Sequence, residues 1–352
     1  MKTTLGAVAH ECRNTWNGDK TGVPVVGLEH LEPGEVILSS WEIDSDNTFT
    51  KKFTKGQVLL GRRRVYLRKA VLAPVDGICS GDITVIEANP DKLLPELLPF
   101  IIQNDAFFNF AMKGSAGSLS PRVKWEHLKD YEISLPTLAE QRKLADRLWA
   151  AYHLKESYKR LLAATDEMVK SQFIEMFGGA TDVVKLKDIV TVLDDKRKPI
   201  NEGERSAMKE GTLYPYYGAT GVVDYINQYL TDERLLCIAE DCGNYGPGED
   251  SSYIIDGKAW VNNHAHLVRP DKDKCDLVYL YNFLKITNLL PFVSGTTRKK
   301  LTQKAMNNID VILPSLDIQR KYVKICEQAD KSKFELREAI KRIDDVMKAL
   351  MN

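Results

Sequence analysis

A nine-residue phrase occurs twice, 178 residues apart, and it constrains the chain more than any other feature. It reads Leu135-Pro136-Thr137-Leu138-Ala139-Glu140-Gln141-Arg142-Lys143, then Leu313-Pro314-Ser315-Leu316-Asp317-Ile318-Gln319-Arg320-Lys321. Each copy opens a long stretch without Pro or Gly. The first stops at Gly178-Gly179 and the second runs to Asn352. A repeat covering about half the chain per copy is read before local signals. It predicts the order globule (residues 1–136), long helix (137–177), globule (178–313), long helix (314–352).

The helix starts are unequal. Thr137 and Glu140 form a Ser/Thr-x-x-Glu capping box after Pro136, whereas the second copy keeps Ser315 but has Ile318 in place of the Glu. Gly178-Gly179 is a strong stop. In the second helix Tyr322, Cys326, Ala329, Lys333, Leu336, Ile340, Ile343, Met347 and Leu350 recur at alternating steps of four and three. Moved back by the repeat, the series is Leu144, Leu148, Ala151, Lys155, Tyr158, Leu162, Thr165, Val169 and Gln172. Both are mostly apolar with a Lys at the same interior point, as in a heptad seam with one polar layer. Some 38 residues of helix span roughly 55–60 Å.

The globules show short β-type runs, among them Gln57–Leu60, Arg64–Leu67, Ile83–Glu87, Leu235–Ala239 and Ala265–Val268. A helical run near Pro95–Met112 and another at Leu277–Lys285 each precede a glycine loop, at Gly114 and Gly295. Lys185-Leu186-Lys187-Asp188-Ile189 corresponds to Thr4-Leu5-Gly6-Ala7-Val8. The expected class is therefore α+β, with two mixed α/β globules and two long helices.

Composition excludes more than it selects. No apolar run reaches the length of a membrane span, and Met1–Trp16 lacks an apolar signal core, so the expectation is a cytoplasmic protein without membrane association. The six cysteines contain no Cys-x-x-Cys, and Cys237, Cys242, His264 and His266 do not match common zinc spacings, so no metal is expected. Basic and acidic residues balance at 49 each. Neither globule is basic: residues 1–136 carry 16 basic and 17 acidic residues, and residues 178–313 carry 17 and 19. Bulk charge gives no argument for nucleic acid. There is no phosphate-cradling Gly-x-x-x-x-Gly-Lys-[Ser/Thr], and Asn89-Pro90-Asp91-Lys92 lacks the second Pro and the aromatic of an amino-methyltransferase phrase.

The two Leu-Pro-[Thr/Ser]-Leu-x-x-Gln-Arg-Lys phrases, each closing a globule and opening a long helix, resemble those of the specificity subunits of type I restriction–modification systems. The second globule adds Tyr214-Pro215-Tyr216-Tyr217-Gly218-Ala219-Thr220-Gly221, then Val223-Asp224-Tyr225-Ile226, Leu235–Asp241 and Trp260-Val261-Asn262-Asn263-His264-Ala265. These resemble the phrases of one common kind of target recognition domain. The first globule has Val23-Pro24-Val25-Val26-Gly27 but no Tyr-Tyr-Gly-Ala-Thr-Gly phrase. The resemblance implies two target recognition domains in a pseudo-twofold arrangement, each reading half of a split double-stranded DNA site. The two helices would pack as an antiparallel coiled coil and set the unread gap. It implies no catalysis and no cofactor on this chain. Two methyltransferase subunits would methylate adenine with S-adenosylmethionine, and restriction/translocase subunits could join them.

Local residues supply an independent reading. Arg62, Arg63 and Arg64 follow Gly61; Lys196, Arg197 and Lys198 follow two Asp; and Thr296, Thr297, Arg298, Lys299 and Lys300 follow Gly295, where Ser118–Arg122 follow Gly117 in the first half. Glycine permits close backbone approach to a phosphate, and Arg, Lys and Thr supply donors. Arg122 and Lys124 join this set. Candidates for base readout are Arg62, Arg64, Tyr216, Tyr217, Thr220, Asn262, Asn263 and His264. Gln141, Arg142, Gln319 and Arg320, in first helical turns, are assigned to helix–domain packing or to a subunit interface. A two-headed coiled-coil adaptor that does not bind DNA is the alternative that the neutral charge allows.

Overall fold

The computed structural model describes residues 2–115, 121–242, 244–296 and 299–351. The chain divides into two compact units, residues 1–160 with 336–352 and residues 161–335. The division cuts both long helices, Leu138–Phe177 and Leu316–Met351.

The first unit holds two four-stranded sheets. One is antiparallel, in the order Ala9–Cys12, Ile83–Ala88, Val58–Gly61, Ala70–Leu72. The other runs Glu42–Ile43, Pro24–Val26, Gly77–Cys79, Lys51–Phe53, with its two central strands parallel. A two-stranded ribbon pairs Lys2–Thr4 with Glu132–Ser134. The second unit repeats this topology. Its first sheet runs Val190–Val192, Ala265–Pro270, Leu235–Ala239, Ser252–Ile255. Its second runs Val222–Ile226, Tyr214–Tyr217, Lys258–Val261, Thr231–Asp232, again with the central pair parallel. Val183–Lys185 pairs with Asp310–Ile312 as its ribbon. The apolar run Leu235–Ala239 is buried throughout because it lies between two strands and is covered on both faces.

Two local expectations are corrected. Arg64–Leu67 is not a strand. Val65–Leu67 forms a 3₁₀ turn between Arg64 and Arg68, both left-handed at φ 52° and 54°. The Arg64 N–H donates to the Pro121 carbonyl and the Val123 N–H to the Arg62 carbonyl, so Arg63 makes one isolated antiparallel bridge with Arg122 before the chain turns. The run near Pro95–Met112 is two helices, Leu98–Gln103 and Asp105–Lys113. Asn104 is extended between them, and its side chain accepts from the Ala106 N–H as a cap.

The long helices start as their caps dictate. The Thr137 N–H donates to Glu140 at 3.0 Å and the Glu140 N–H to Thr137 Oγ1 at 3.4 Å, a reciprocal box. In the second copy the Ile318 and Gln319 N–H groups donate to the Ser315 carbonyl. Gly178 ends the first helix with its N–H on the Ile174 carbonyl, so close that a Cβ would lie 2.6 Å from that oxygen.

Of the two roles expected for Gln141 and Gln319, the structure shows helix–domain packing and leaves them too buried for a subunit interface, at 1% and 0% exposed. Gln141 accepts from the Leu94 N–H and donates to the carbonyls of Lys92 and Pro136. Gln319 accepts from the Asp276 N–H and donates to Lys274 and Pro314. Each glutamine fastens a long-helix start to the segment entering its own domain's helix. Arg142, by contrast, is exposed in an ion pair with Glu96, and Arg320 lines a groove with Arg234, Arg269 and Lys274.

All eighteen positions of the two heptad series are buried or half-buried. In the first unit Leu144, Leu148, Met347 and Leu350 pack on one core, and Lys155 meets Asp344 at 2.6 Å. In the second unit Val169 packs with Tyr322 and Cys326, and Lys333 meets Asp166 at 3.1 Å. These two ion pairs are the same pair under the repeat. In each unit an ascending helix segment meets a descending one, so the packing is antiparallel. Tyr158, Leu162, Leu336, Ile340 and Ile343 are half-buried between the ion-paired positions.

Replacing Gln319 by Ala removes a buried amide from three backbone partners. It is expected to lower stability by about 2–4 kcal/mol, whereas Arg142→Ala, in an exposed pair, costs under about 1 kcal/mol. Urea denaturation midpoints of the two variants check this contrast.

Candidate nucleic-acid interface

The same corner recurs in both units, at the end of a central strand. In the first unit the Arg62 N–H donates to Asp82 and the Val123 N–H to Arg62. In the second the Glu240 N–H donates to His264 and the Leu301 N–H to Glu240. Arg62 and Glu240 are thus equivalent, as are Val123 and Leu301. The returning loop docks at the same place in each domain.

The corners carry different charge. In the first, Asp82 is the anchor. Arg122 donates to it twice, at 2.7 and 3.3 Å, and Arg63 lies 3.6 Å away. The hydrogen bond from Arg122, then the charges of Arg122, Arg63 and Arg62, hold the Asp82 carboxyl below its ordinary range. Asp82 therefore stays ionised at neutral pH. Any stability it adds is complete above the unfolded carboxyl pKa and is lost as pH falls through its depressed folded value. Arg122 and Arg63 share this one carboxylate, and the exposed Arg64 and Lys124 add positive charge to the corner. Among the described residues, the Arg62 Nε is buried without a hydrogen-bond partner.

In the second corner most charge is internally matched. Arg197 meets Asp194 and Glu240, both at 2.9 Å, and donates to the Ala265 carbonyl. Lys300 meets Glu240 at 2.8 Å, and Lys196 approaches Glu233 at 3.6 Å. His266 reaches Asp194 at 2.7 Å, and His264 lies 3.0 Å from Asp241. Burial raises the Asp194 pKa, but hydrogen bonds from His266 and the Leu267 N–H outweigh it, and the net shift is downward.

Several expected DNA contacts are corrected by burial. Arg197 is the centre of an internal network with a side chain 13% exposed. Tyr216 is buried against Ile226 and Trp260. Asn262 is buried, its side chain accepting from the His264 N–H. Tyr217 is half-buried and stacks on Tyr253, whose hydroxyl donates to the Gly218 carbonyl at 2.6 Å. The aromatic phrase thus builds the platform under the turn at residues 218–221. Thr220, Lys198, Asn263 and Thr296 are exposed, and Lys299 is half-buried. Thr297 and Arg298 lie outside the described residues. Sequence reading missed Asp82, which no local pattern marks, and the exposed Tyr66 and Leu67 between the left-handed arginines. It also missed Val222, Val223 and Tyr225, exposed on the hairpin after the turn. Apolar residues inside a basic or Gly-rich run are the signal that would have found them.

A profile of the type I restriction modification DNA specificity domain matches twice, over residues 12–163 and 180–343. The chain belongs to this family. A putative type I restriction enzyme specificity subunit from Haemophilus influenzae is 32% identical over 153 residues, 43% of this chain and 37% of that protein. The EcoDI specificity subunit of Escherichia coli is 24% identical over 132 residues, 36% of this chain and 29% of that protein. These matches therefore span well under half of the relatives' own lengths. The fold is shared with a type I restriction–modification S subunit from M. genitalium, at 16% identity and a TM-score of 0.63, covering 100% of this chain and 96% of that one. A chain from a structure of type I restriction–modification complex assembly gives 20% identity and a TM-score of 0.58, again covering 100% and 96%. The chain thus shares with these structures an α+β fold that contains two long helices. No helix among the described residues is long and apolar enough to cross a membrane.

Removing Arg197 leaves Asp194 and Glu240 short of a partner in a largely buried site. Arg197→Met is expected to cost roughly 3 kcal/mol, and Lys198→Ala, exposed beside it, is expected to leave stability unchanged. Thermal and chemical unfolding of both variants check this.

Proposed function

We propose that this chain is the DNA-reading, non-catalytic subunit of a cytoplasmic type I restriction–modification complex. Residues 1–136 and 178–313 act as two target recognition domains, each reading half of a bipartite double-stranded site. Residues 137–177 and 314–352 hold the halves apart. Two methyltransferase subunits, carrying S-adenosylmethionine, supply adenine methylation, and restriction/translocase subunits can join them. The S-adenosylmethionine is held by those partners and not by this chain. The observation that carries the reading is one two-sheet topology built twice, with a docked loop at the same corner of each copy.

The first corner supplies phosphate contacts through Arg63, Arg64, Arg122 and Lys124, with Arg62 behind them. The second supplies them through Lys196, Lys198 and the loop of Thr296, Thr297, Arg298, Lys299 and Lys300. Thr220, Asn263 and His264 stand beside the platform where base edges would be read, with Tyr217 supporting them. Arg142 and Arg320 remain candidates for contact with partner subunits.

Replacing Arg63 and Arg122 together by Ala removes two phosphate contacts. It is expected to weaken binding of all DNA sequences and to lower the slope of log affinity against log salt by about 2. An unchanged slope contradicts the assignment. Methylome sequencing of cells with and without the gene tests the function as a whole. Methylated adenine in a split motif, present only with the gene, is the expected result. No gene-dependent motif would favour an adaptor that does not bind DNA.

A further inference from the structure

Strand Ala9–Cys12 pairs with Ile83–Ala88 so that His10 faces Glu87. Cys12 lies two residues along the same strand and so on the same face. Three potential ligand atoms gather there. Cys12 Sγ is 3.2 Å from Glu87 Oε2 and 3.8 Å from His10 Nε2, and those two atoms are 4.0 Å apart. The point equidistant from all three lies about 2.1 Å from each, within the range of Zn–N and Zn–O bonds and close to Zn–S. No sequence spacing announces this group, because Glu87 comes from a strand 75 residues away from Cys12.

The surroundings are built for it. Gln57 is 5% exposed and donates to Cys12 Sγ at 3.3 Å and to Glu87 at 2.8 Å, while its own oxygen accepts from the Thr54 N–H. It holds two of the three ligand side chains from behind, as outer partners of metal ligands do. The second domain shows that the fold requires none of this. The positions of His10, Glu87, Cys12 and Gln57 are there taken by Thr191, Arg269, Leu193 and Leu235, and the register Thr191–Arg269 repeats His10–Glu87.

We propose that His10, Cys12 and Glu87 form a binding site for a borderline-soft divalent cation of the Zn²⁺ class, a reading independent of DNA recognition. One sulfur, one nitrogen and one oxygen ligand fill three positions, and a thiolate selects against Mg²⁺ and Ca²⁺. The side chains of His10 and Glu87 are 63% and 49% exposed, so the fourth position opens to water. On binding, the thiol proton now donated to Glu87 is released to solvent and the metal–sulfur bond takes its place. The ion would pin the first strand of the sheet to its neighbour.

Titration of the full chain with Co²⁺ is the test. The expected result is a thiolate-to-cobalt charge-transfer band that saturates at one equivalent and disappears when Zn²⁺ is added. His10→Ala, a change at an exposed side chain that leaves folding intact, should weaken Co²⁺ binding at least tenfold. Cys12→Ser should abolish the band. Absence of the band, its persistence in Cys12→Ser, or unchanged affinity in His10→Ala overturns the proposal.

Discussion

Neither recognition domain closes its core with its own residues alone. In the first unit, Met347, Leu350 and Met351 from the far end of the second helix pack against the cluster that contains Leu148, Tyr152 and Phe100. In the second unit, Phe173 and Phe177 from the far end of the first helix enter the cluster of Tyr279, Phe283 and Tyr322. Each buried aromatic or aliphatic side chain contributes about 1.5–3 kcal/mol by burial. Exchange of helix ends between halves is therefore part of what makes each unit fold. It also forces the helix segments within each unit to run antiparallel. The Lys155–Asp344 and Lys333–Asp166 pairs then favour one register, because a slip would separate half-buried Lys155 from Asp344 and leave Lys333 only Asp330 of its own helix.

A second constraint acts where helix meets domain. Gln141 and Gln319 are buried amides whose bonds all go to backbone groups. A backbone contact does not depend on the neighbouring side chains, which leaves the domains free to differ in sequence while keeping the joint. The corners show such divergence. Glu240 stands where the first domain has Arg62, and the surrounding charges have rearranged from a cationic cluster on Asp82 to a matched network on Asp194 and Glu240.

The long helices and the repeat were legible because they rest on periodic and local signals: Thr137 with Glu140, the Gly178 stop, and an apolar step of four and three. The short strands Leu235–Ala239 and Ile83–Ala88 were legible as apolar runs. The break at Asn104 was not, since an Asn inside an apolar helical pattern costs little until tertiary packing turns it into a cap. The site residues were the least legible. Tyr216, Asn262 and Arg197 have the chemistry of readers, but burial has assigned them to the scaffold. That outcome depends on partners distant in sequence, such as Trp260 for Tyr216 and Glu240 for Arg197. The His10, Cys12 and Glu87 group was hidden for the same reason.

Under the proposed function, the paired helices set the distance between two independent readings of DNA. This is tested most directly by inserting seven residues, two helical turns, after both Arg160 and Glu338, between the ion-paired positions of each helix. The insertions add about 10 Å, about three base pairs of DNA. Methylome sequencing of cells carrying the lengthened protein should show both half-sites unchanged and the unread gap longer by about three base pairs. The original spacing, or altered half-sites, would contradict the account.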